Sequence, residues 1–399
     1  MGLIDVVLVG IGGFGRYMVP LMLNEASFHG ARPVACVDPF PENSPYFDTI
    51  RSARIPVYNS LESFFAVGHA DLAVLSTPIH FHHDQSILAL SKGCDVLCEK
   101  PICSTVQDAL DMEAAEEKNG RLLHIGYQWS HSPVIQQIKH DILSGKFGQP
   151  IHLKTLVCWP RPDAYFARNW AAKVRGTHGE WILDSIAMNA TAHYIHNMFY
   201  LLGPSVNASV FPISFEAELY RANPIETYDT AAFRIRLPGN ISLLYLATHA
   251  CDKTIEPEAE YTFKKGILRL GESTKRHFIA TFSDGSSFDY GIPDGSADKL
   301  WNAVAARRGE AVKLCGVQAA LPHLTVVNAA TEFAPVRSIA PSAILRNTEL
   351  GLNYVPDLAD QLFRCYSAGQ LPHEANLPFS MPPVNISLVG YKRFQKAFA

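Results

Sequence analysis

A glycine-rich stretch directly after the first apolar run constrains this chain more than any other feature. Residues 4–9, Ile-Asp-Val-Val-Leu-Val, predict a strand. A glycine turn, a helical pattern and a second strand come next: Gly10-x-Gly12-x-x-Gly15, residues 16–24 and residues 33–37. Strand, turn, helix and strand in this order are typical of a unit that binds a dinucleotide, with the pyrophosphate at the helix N-terminus.

An acidic residue ends the second strand at the place where a ribose contact is expected. Asp38 lies 23 residues beyond Gly15, close to the spacing of about 20 typical of a ribose-binding carboxylate. A carboxylate accepts a hydrogen bond from the 2′-hydroxyl and repels a 2′-phosphate. The sequence therefore favours NAD over NADP as the cofactor.

A lysine stands at the end of another buried strand. The run Asp95-Val-Leu-Cys98 is followed by Glu99-Lys100-Pro101, and proline cannot donate to a sheet ladder, so the strand ends there. Ligands of open α/β sheets bind beyond the carboxyl ends of the strands. Lys100 is thus a candidate for proton transfer or substrate anchoring, with a solvated strand-end lysine as the alternative.

The spacing of strands and helices changes near residue 150. Before it, strands and helices alternate, which predicts a doubly wound parallel sheet. After it, period-2 runs separated by turns predict adjoining strands that pair antiparallel. We expect an α/β chain with an NAD-binding Rossmann domain over residues 1–130. Residues 131–399 are expected to form an α+β substrate-binding and oligomerisation domain with an open, mainly antiparallel sheet, whose C-terminal helices can pack back on the first domain.

Composition narrows the class of partner. The net charge is −4, charged residues make up 18% of the chain, and no basic run occurs, which argues against nucleic acid. No apolar run has the length of a membrane span, and eight cysteines without a Cys-x-x-Cys motif predict a reduced, cytoplasmic protein. Histidines 80, 82 and 83 lack the cysteine or carboxylate partners of a metal site, so we expect no metal.

Two polar groups of the second half are candidates for substrate contact. Residues 181–203 predict one helix, with Asn189, His193 and either His196 or Asn197 on one face. Asp184 either caps this helix or points away from His193. Beyond the first strand of this half come Arg161, Tyr165 and Arg168, which suit a polar, ring-shaped ligand with an acid group, or else pack within a loop.

The chain resembles the Gfo/Idh/MocA oxidoreductases, named for glucose–fructose oxidoreductase and inositol dehydrogenase. The resemblance covers nearly all of the chain and rests on five motifs: Gly10-x-Gly-x-x-Gly15, Thr77-Pro78 with His82, Glu99-Lys100-Pro101, Gly126-Tyr-Gln128, and Ala192-His193-Tyr-Ile-His196 running on to Leu202-Gly203. It implies a Rossmann domain, a C-terminal domain with an open antiparallel sheet, and assembly as a homodimer or homotetramer. The implied chemistry is NAD(P)-dependent oxidation of a sugar or polyol hydroxyl, or the reverse.

The resemblance also implies roles for individual residues, which are assigned here by their positions in the shared motifs. Lys100 becomes the catalytic lysine and His193 the general base, with Asn189 where the family often has aspartate and His196 where it often has a second one. An asparagine can orient a hydroxyl but holds no charge. The expected cofactor contacts are Gly10, Gly12, Gly13, Phe14, Gly15, Asp38, Ser76, Thr77, Pro78, His82, Glu99, Lys100 and Gln128, and the expected substrate contacts are Arg161, Tyr165, Arg168 and His196.

The expected reaction is hydride transfer between NAD and a secondary hydroxyl of a sugar, polyol or inositol-like substrate. Lys100 and His193 are then expected to flank one cavity beside the nicotinamide. Two alternatives remain open at this point: an NAD-dependent glycoside hydrolase that oxidises, eliminates, hydrates and reduces, and a non-catalytic NAD-binding regulator.

Overall fold

The computed structural model describes residues 2–396, and the chain divides into two compact units. The first unit contains the chain up to Cys103, residues 107–132 and residues 295–320. The second contains residues 104–106, residues 133–294 and the chain from Leu321 on.

The first unit is built on six parallel strands. They are β1 Ile4–Val9, β2 Ala31–Val37, β3 Val57–Tyr58, β4 Leu72–Leu75, β5 Asp95–Cys98 and β6 Leu123–Ile125. Their order is β3-β2-β1-β4-β5-β6, which confirms the predicted doubly wound sheet. The helices around them are Met18–Asn24, Phe47–Ser52, Leu61–Phe65, His82–Ser91, Val106–Asn119, Gln128–His131 and Asp298–Arg307.

The last of these helices comes from far along the chain, where the sequence predicted the second domain. Helix Asp298–Arg307 buries Leu300, Ala303 and Val304 in the same hydrophobic cluster as residues of β1 and β4. Burying three apolar side chains on this sheet is what assigns the helix to the first unit. Residues 295–320 thus belong to the first unit, and the sequence analysis allowed for C-terminal helices that pack back on the first domain.

The second unit is built on a ten-stranded sheet. Its strands are β7 Pro150–Cys158, β8 Ser214–Arg221, β9 Thr230–Leu237, β10 Ile241–Thr248, β11 Ile255–Phe263, β12 Gly266–Leu270, β13 Phe278–Phe282, β14 Ser287–Gly291, β15 Val336–Ser338 and β18 Val384–Ser387. The order is β14-β13-β12-β11-β7-β10-β9-β8-β15, and β18 also pairs with β8. A separate hairpin joins β16 Leu345–Asn347 to β17 Leu352–Tyr354.

Strands of this half that are consecutive in sequence and pair with each other are antiparallel, as predicted, whereas two pairs between strands distant in the chain are parallel. Strand β7 lies between β10 and β11, and its pairing with β10 is parallel, with Cys158 opposite Thr248. Strand β15 pairs parallel with β8. The remaining pairs are antiparallel, so the sheet is mainly antiparallel, as predicted.

Four helices accompany this sheet: Pro133–Leu143, Asp163–Phe166, Ala192–Leu201 and Leu358–Ala368. Helix Val317–Phe333 begins in the first unit and continues into the second. The single helix predicted over residues 181–203 is wrong in its first part. Leu183 has a left-handed φ of 54°, Ser185 caps a π-helical turn at Ile186–Ala190, and the regular helix starts only at Ala192.

Candidate functional site

Two glycines of the motif are required by close packing of the loop after β1. A Cβ on Gly15 would lie 1.7 Å from the carbonyl oxygen of Gly10. Gly10 has φ +80°, and a Cβ there would lie 2.9 Å from the carbonyl oxygen of Ser76. Both contacts are with backbone that cannot move aside, so these positions exclude any side chain.

The two glycines between them face open space. A Cβ on Gly12 or Gly13 would meet no described atom within 4 Å. The hydroxyl of Ser76, at the end of β4, is enclosed and has no hydrogen-bond partner among residues 2–396. An open backbone cradle beside an orphaned hydroxyl fits a phosphate group that accepts hydrogen bonds. The residues present therefore fit the diphosphate of a dinucleotide.

Asp38 holds this loop to the end of β2. One carboxylate oxygen accepts from the N–H of Ile11 and the other from the N–H of Phe40, each at 2.9 Å. A carboxylate offers about four acceptor positions. Asp38 can thus keep the loop in place and still accept a hydrogen bond from a ribose hydroxyl, although the sequence suggested only the second role.

Lys100 follows β5 and is half-buried, with a cis peptide bond to Pro101. Its neighbour Glu99 is 6% exposed and forms an ion pair with the fully buried Lys299. The ammonium of Lys299 also lies 4.5 Å from the ring centroid of Phe14 in the glycine loop. Sequence reasoning missed Lys299, because nothing in a pattern marks a partner 200 positions away.

His82 is buried between two loops at the carboxyl edge of the sheet. Its ring nitrogens lie 2.8 Å from the carbonyl oxygens of Thr77 and Pro101. Burial lowers the pKa of His82, whereas the two carbonyl oxygens favour the protonated ring. The ring therefore joins the loops after β4 and β5. The expected contact of His82 with the cofactor remains a prediction. The same holds for the other expected cofactor contacts in this region, which are Thr77, Pro78, Glu99 and the half-buried Gln128.

In the second unit, His193 is the one half-buried residue of helix Ala192–Leu201, which is otherwise buried. Asn189 lies just before this helix and is half-buried too. Its amide donates to a carboxylate oxygen of the buried Asp184 at 3.0 Å. The other oxygen of Asp184 accepts from the N–H of Ala172 at 2.5 Å. Asp184 therefore faces Asn189, which a continuous helix would have prevented.

The backbone on both sides of this contact is strained. Ala172 has φ 53° and Leu183 has φ 54°, a region that residues with a Cβ seldom adopt. Such outliers persist where the surrounding structure imposes them, often at functional sites. Asp184 and Asn189 thus form a fixed polar pair next to the start of the histidine helix.

His196 lies inside the second unit. It is 1% exposed, and its ring stacks on Tyr200 with 5.7 Å between centroids. Tyr200 in turn donates to the carbonyl of Val206 and accepts from Gln136. The expected contact of His196 with a substrate remains a prediction.

Arg161, Tyr165 and Arg168 do lie together, in the loop after β7. Both guanidinium carbons lie within 5 Å of the Tyr165 ring centroid, at 4.9 and 3.9 Å. His249, at the end of β10, joins them through its ring contact with Tyr165 at 5.5 Å. Sequence reasoning missed His249. The residue reaches the cluster because β7 and β10 pair in parallel, which brings the carboxyl ends of both strands together.

Two kinds of feature are absent from the described part of the chain. Among residues 2–396 no three histidine, cysteine or acidic side chains are grouped so as to hold a metal ion. Over the same residues, every helix is too short or too polar to cross a membrane.

A family model matches the first unit. Residues 4–127 match the Gfo/Idh/MocA model, described as an oxidoreductase family with an NAD-binding Rossmann fold. The matched range contains the glycine loop, Asp38 and Lys100. It agrees with the geometry of a dinucleotide cradle at the end of β1.

Curated relatives match in the same region. An inositol 2-dehydrogenase of Mycolicibacterium smegmatis is 38% identical over 84 residues, 21% of this chain and 24% of that protein. A 1-carboxy-3-chloro-3,4-dihydroxycyclohexa-1,5-diene dehydrogenase of Comamonas testosteroni is 29% identical over 142 residues, 36% of this chain and 35% of that protein. The chain thus spans only about a quarter to a third of the length of these relatives.

Similarity to solved structures covers more of the chain than the sequence matches do. The WlbA dehydrogenase of Chromobacterium violaceum, solved in complex with NADH and UDP-GlcNAcA, superposes with a TM-score of 0.70 and 24% identity. The match covers 82% of this chain and 92% of that one, so both units share the fold. The resemblance predicted from the motifs is confirmed over the first part of the chain, where residues 4–127 match the Gfo/Idh/MocA oxidoreductase family with its NAD-binding Rossmann fold.

Proposed function

We propose that this protein is an NAD-dependent oxidoreductase that transfers hydride between nicotinamide and a secondary hydroxyl of a sugar, polyol or inositol-like substrate. The observation that carries this is the position of Lys100 at the carboxyl end of β5. The glycine loop follows β1 at the same edge of the sheet, and only β4 lies between the two strands. This edge is where open α/β sheets bind ligands. The dehydrogenase names of the curated relatives support the reaction class.

NAD, bound in the glycine loop, supplies the hydride acceptor. The substrate carbon loses a hydride and its hydroxyl loses a proton, so the C–O bond becomes a carbonyl. The proton goes to the amine of Lys100 or to the imidazole of His193, each of which must be unprotonated to accept it. The reverse reaction returns the proton to the carbonyl oxygen. Variants of these two residues decide which group accepts the proton.

Asn189 and Asp184 have a positioning role in this proposal. Asn189 itself carries no charge, but the carboxylate of Asp184 fixes the orientation of its amide through the 3.0 Å hydrogen bond. An amide oxygen is an acceptor, so Asn189 suits contact with a substrate hydroxyl or with His193. The pair takes the place of the aspartate that the family often has at position 189.

The test is turnover of a panel of sugars, polyols, inositols and sugar acids with NAD, followed by the absorbance of NADH. We expect Lys100→Ala and His193→Ala each to lower kcat by about 10²- to 10⁴-fold on the best substrate, the usual contribution of a proton-transferring group. NAD affinity, measured by calorimetry, is expected to change much less. Lys92→Ala, an exposed lysine at the end of a helix of the first unit, is the control and keeps full activity.

Three results would decide against this function. If the wild-type protein does not bind NAD, the proposed cofactor is wrong. Release of a sugar from a glycoside without net NADH favours the NAD-dependent hydrolase. NAD binding without turnover on any substrate of the panel favours a regulator.

The cellular setting follows from the cysteines and the sheet. All eight cysteines are buried and none is in a disulfide, which suits a reducing compartment such as the cytoplasm. The ten-stranded sheet of the second unit is the surface we expect to join copies of the chain as a homodimer or homotetramer. Sedimentation or light scattering measures the assembly directly.

A further inference from the structure

The loop that follows β7 gathers positive charge on aromatic rings. The guanidinium carbon of Arg161 lies 4.9 Å from the ring centroid of Tyr165 and 5.5 Å from that of Trp159. That of Arg168 lies 3.9 Å from Tyr165 and 4.3 Å from Trp170. Ring faces attract cations and hold guanidinium groups flat without neutralising them. The cluster therefore keeps its full charge.

Neither arginine has an acidic partner. Within residues 2–396, no carboxylate oxygen lies within 4 Å of either guanidinium, and the Nε of Arg161 is enclosed without a hydrogen-bond partner. Nearby arginines differ. Arg276 pairs with Glu256 at 3.3 Å, and Arg346 pairs with Asp163 at 2.5 Å. Carboxylates are thus available in this region, but they are used elsewhere.

A cavity opens beside Arg161. It has a volume of about 260 Å³ and is lined by Trp159, Pro160, Arg161, Thr254 and Glu256. Glu256 is occupied by Arg276 and by the indole N–H of Trp159 at 3.2 Å. The charge left over at the cavity is therefore that of Arg161. The volume is below that of a typical drug-sized pocket, so it suits one end of a ligand rather than a whole sugar nucleotide.

His249 provides a second, independent observation. It is 2% exposed, and its Nδ1–H donates to the carbonyl of Trp159 at 2.8 Å. Its Nε2 is then an acceptor, and it has no hydrogen-bond partner among the described residues. Burial, and next the charge of Arg161, lowers the pKa of His249 to about 3. An enclosed neutral acceptor without a donor in the chain can accept from a water molecule or from a ligand hydroxyl.

The cluster borders the segment that carries His193. Trp159 makes an edge-to-face contact with Tyr194, the next residue, with 5.7 Å between centroids. Tyr165 lies close enough to Asp184 for that carboxylate to raise the pKa of Tyr165, after burial, while Arg168 and Arg161 lower it. The arginine cluster therefore lies near the segment that carries His193 and near Asp184.

We infer that Arg161 and Arg168 bind an anionic group, a carboxylate or phosphate, of a hydroxylated substrate, and that His249 accepts from one of its hydroxyls. The inference rests on the proposed function and narrows its substrate class to sugar acids or sugar phosphates. Guanidinium groups match either anion through paired N–H donors. Neutral sugars and inositols leave the arginines without a counter-charge and bind more weakly.

The experiment compares neutral, carboxylated and phosphorylated forms of the same sugars, such as glucose, glucuronate and glucose 6-phosphate, with NAD. We expect the wild-type protein to use one anionic form with a kcat/KM at least about 10-fold above the neutral form. Arg161→Gln lowers that value about 10- to 100-fold, mainly through KM, and changes the neutral form less than roughly threefold. The carboxylate and phosphate arms identify which anion binds. Arg346→Gln is the matched control, because the guanidinium of Arg346 has an acidic partner. This variant leaves kcat/KM unchanged for both the anionic and the neutral sugar.

A readout without turnover keeps this inference separate from the proposed function. Calorimetry measures binding of the same three sugars to wild type, Arg161→Gln and Arg168→Gln in the presence of NAD. Anion binding that is lost in both variants supports the cluster even if no sugar is oxidised. Oxidation of neutral sugars with no preference for either anion, or equal anion binding by wild type and Arg161→Gln, overturns the inference and leaves the oxidoreductase in place.

Discussion

In the first unit the buried ammonium of Lys299 faces the carboxylate of Glu99, whereas in the second unit Arg161 and Arg168 lie on aromatic rings with no carboxylate of residues 2–396 within 4 Å. The first arrangement satisfies every charge that it removes from water. The second leaves charge unmatched beside a cavity. Removal of one partner from a buried ion pair is strongly destabilising, whereas a cation without a carboxylate partner beside a cavity is suited to a ligand.

We expect the largest change in the free energy of unfolding when Lys299 is replaced. Lys299→Met leaves the carboxylate of Glu99 buried without a counter-charge, so we expect the free energy of unfolding to fall by about 3–5 kcal/mol. Urea denaturation measures it. The double variant Glu99→Gln, Lys299→Met removes both charges and is expected to recover part of the loss.

Lys253→Met is the control for this prediction, because Lys253 pairs with Asp360 at the surface and both are about half exposed. Its removal is expected to change stability far less than that of Lys299. Equal losses at the two lysines would show that burial of the Glu99–Lys299 pair does not matter, and the contrast between the units would fail.

Acid is expected to weaken both units, each through a buried histidine. Burial lowers the pKa of His131 in the first unit to about 4 and that of His249 in the second to about 3, with the charge of Arg161 adding to the effect at His249. Both rings are neutral in the folded state, and the unfolded chain binds more protons below about pH 6.5. Their stabilisation is therefore complete above pH 6.5 and is lost as the pH falls toward 4 and 3.

The slope of this loss is about 1.4 kcal/mol per pH unit for each histidine between its two pKa values. Unfolding free energies measured from pH 7 to pH 4 test it, and His249→Asn is expected to make the curve shallower. An unchanged curve for His249→Asn would mean that His249 has the same pKa in the folded protein and in the unfolded chain. The ring would then not be enclosed as described, and the argument for an enclosed neutral acceptor would fail.

We expect the smallest change in the free energy of unfolding when Arg161 or Arg168, which have no carboxylate partner, is replaced. Arg168 is exposed and has no ion pair to lose among the described residues, so Arg168→Gln should change the free energy of unfolding by no more than about 0.5 kcal/mol. Thermal or urea unfolding measures it beside the substrate tests of Arg161→Gln. A loss above about 2 kcal/mol would show that the cluster is structural, which removes the distinction between the two units.

Prediction from sequence worked best where structure is local. The strand predicted at residues 4–9 was placed at its observed bounds. Gly15 of the glycine motif is required by the loop itself, because a Cβ there has no space beside the carbonyl oxygen of Gly10. The parallel order of β1, β4 and β5 then follows from the alternation of strands and helices.

Prediction failed where distant segments decide the outcome. Residues 181–203 have helical spacing, but the hydrogen bonds of Asp184 to Ala172 and Asn189 hold the first part out of a regular helix. Tertiary contacts outweigh helical propensity in this segment.

By itself the sequence determined the Rossmann sheet, the NAD cradle after β1 and the lysine at the end of β5, because glycine spacing, a strand-ending proline and an acid at the second strand act over short distances. Only the tertiary structure decided that Lys299 neutralises Glu99 and that β7 and β10 run parallel, so that Trp159 and Arg161 meet His249. Such pairs are selected by burial and register between segments far apart in the chain, and these depend on the whole fold.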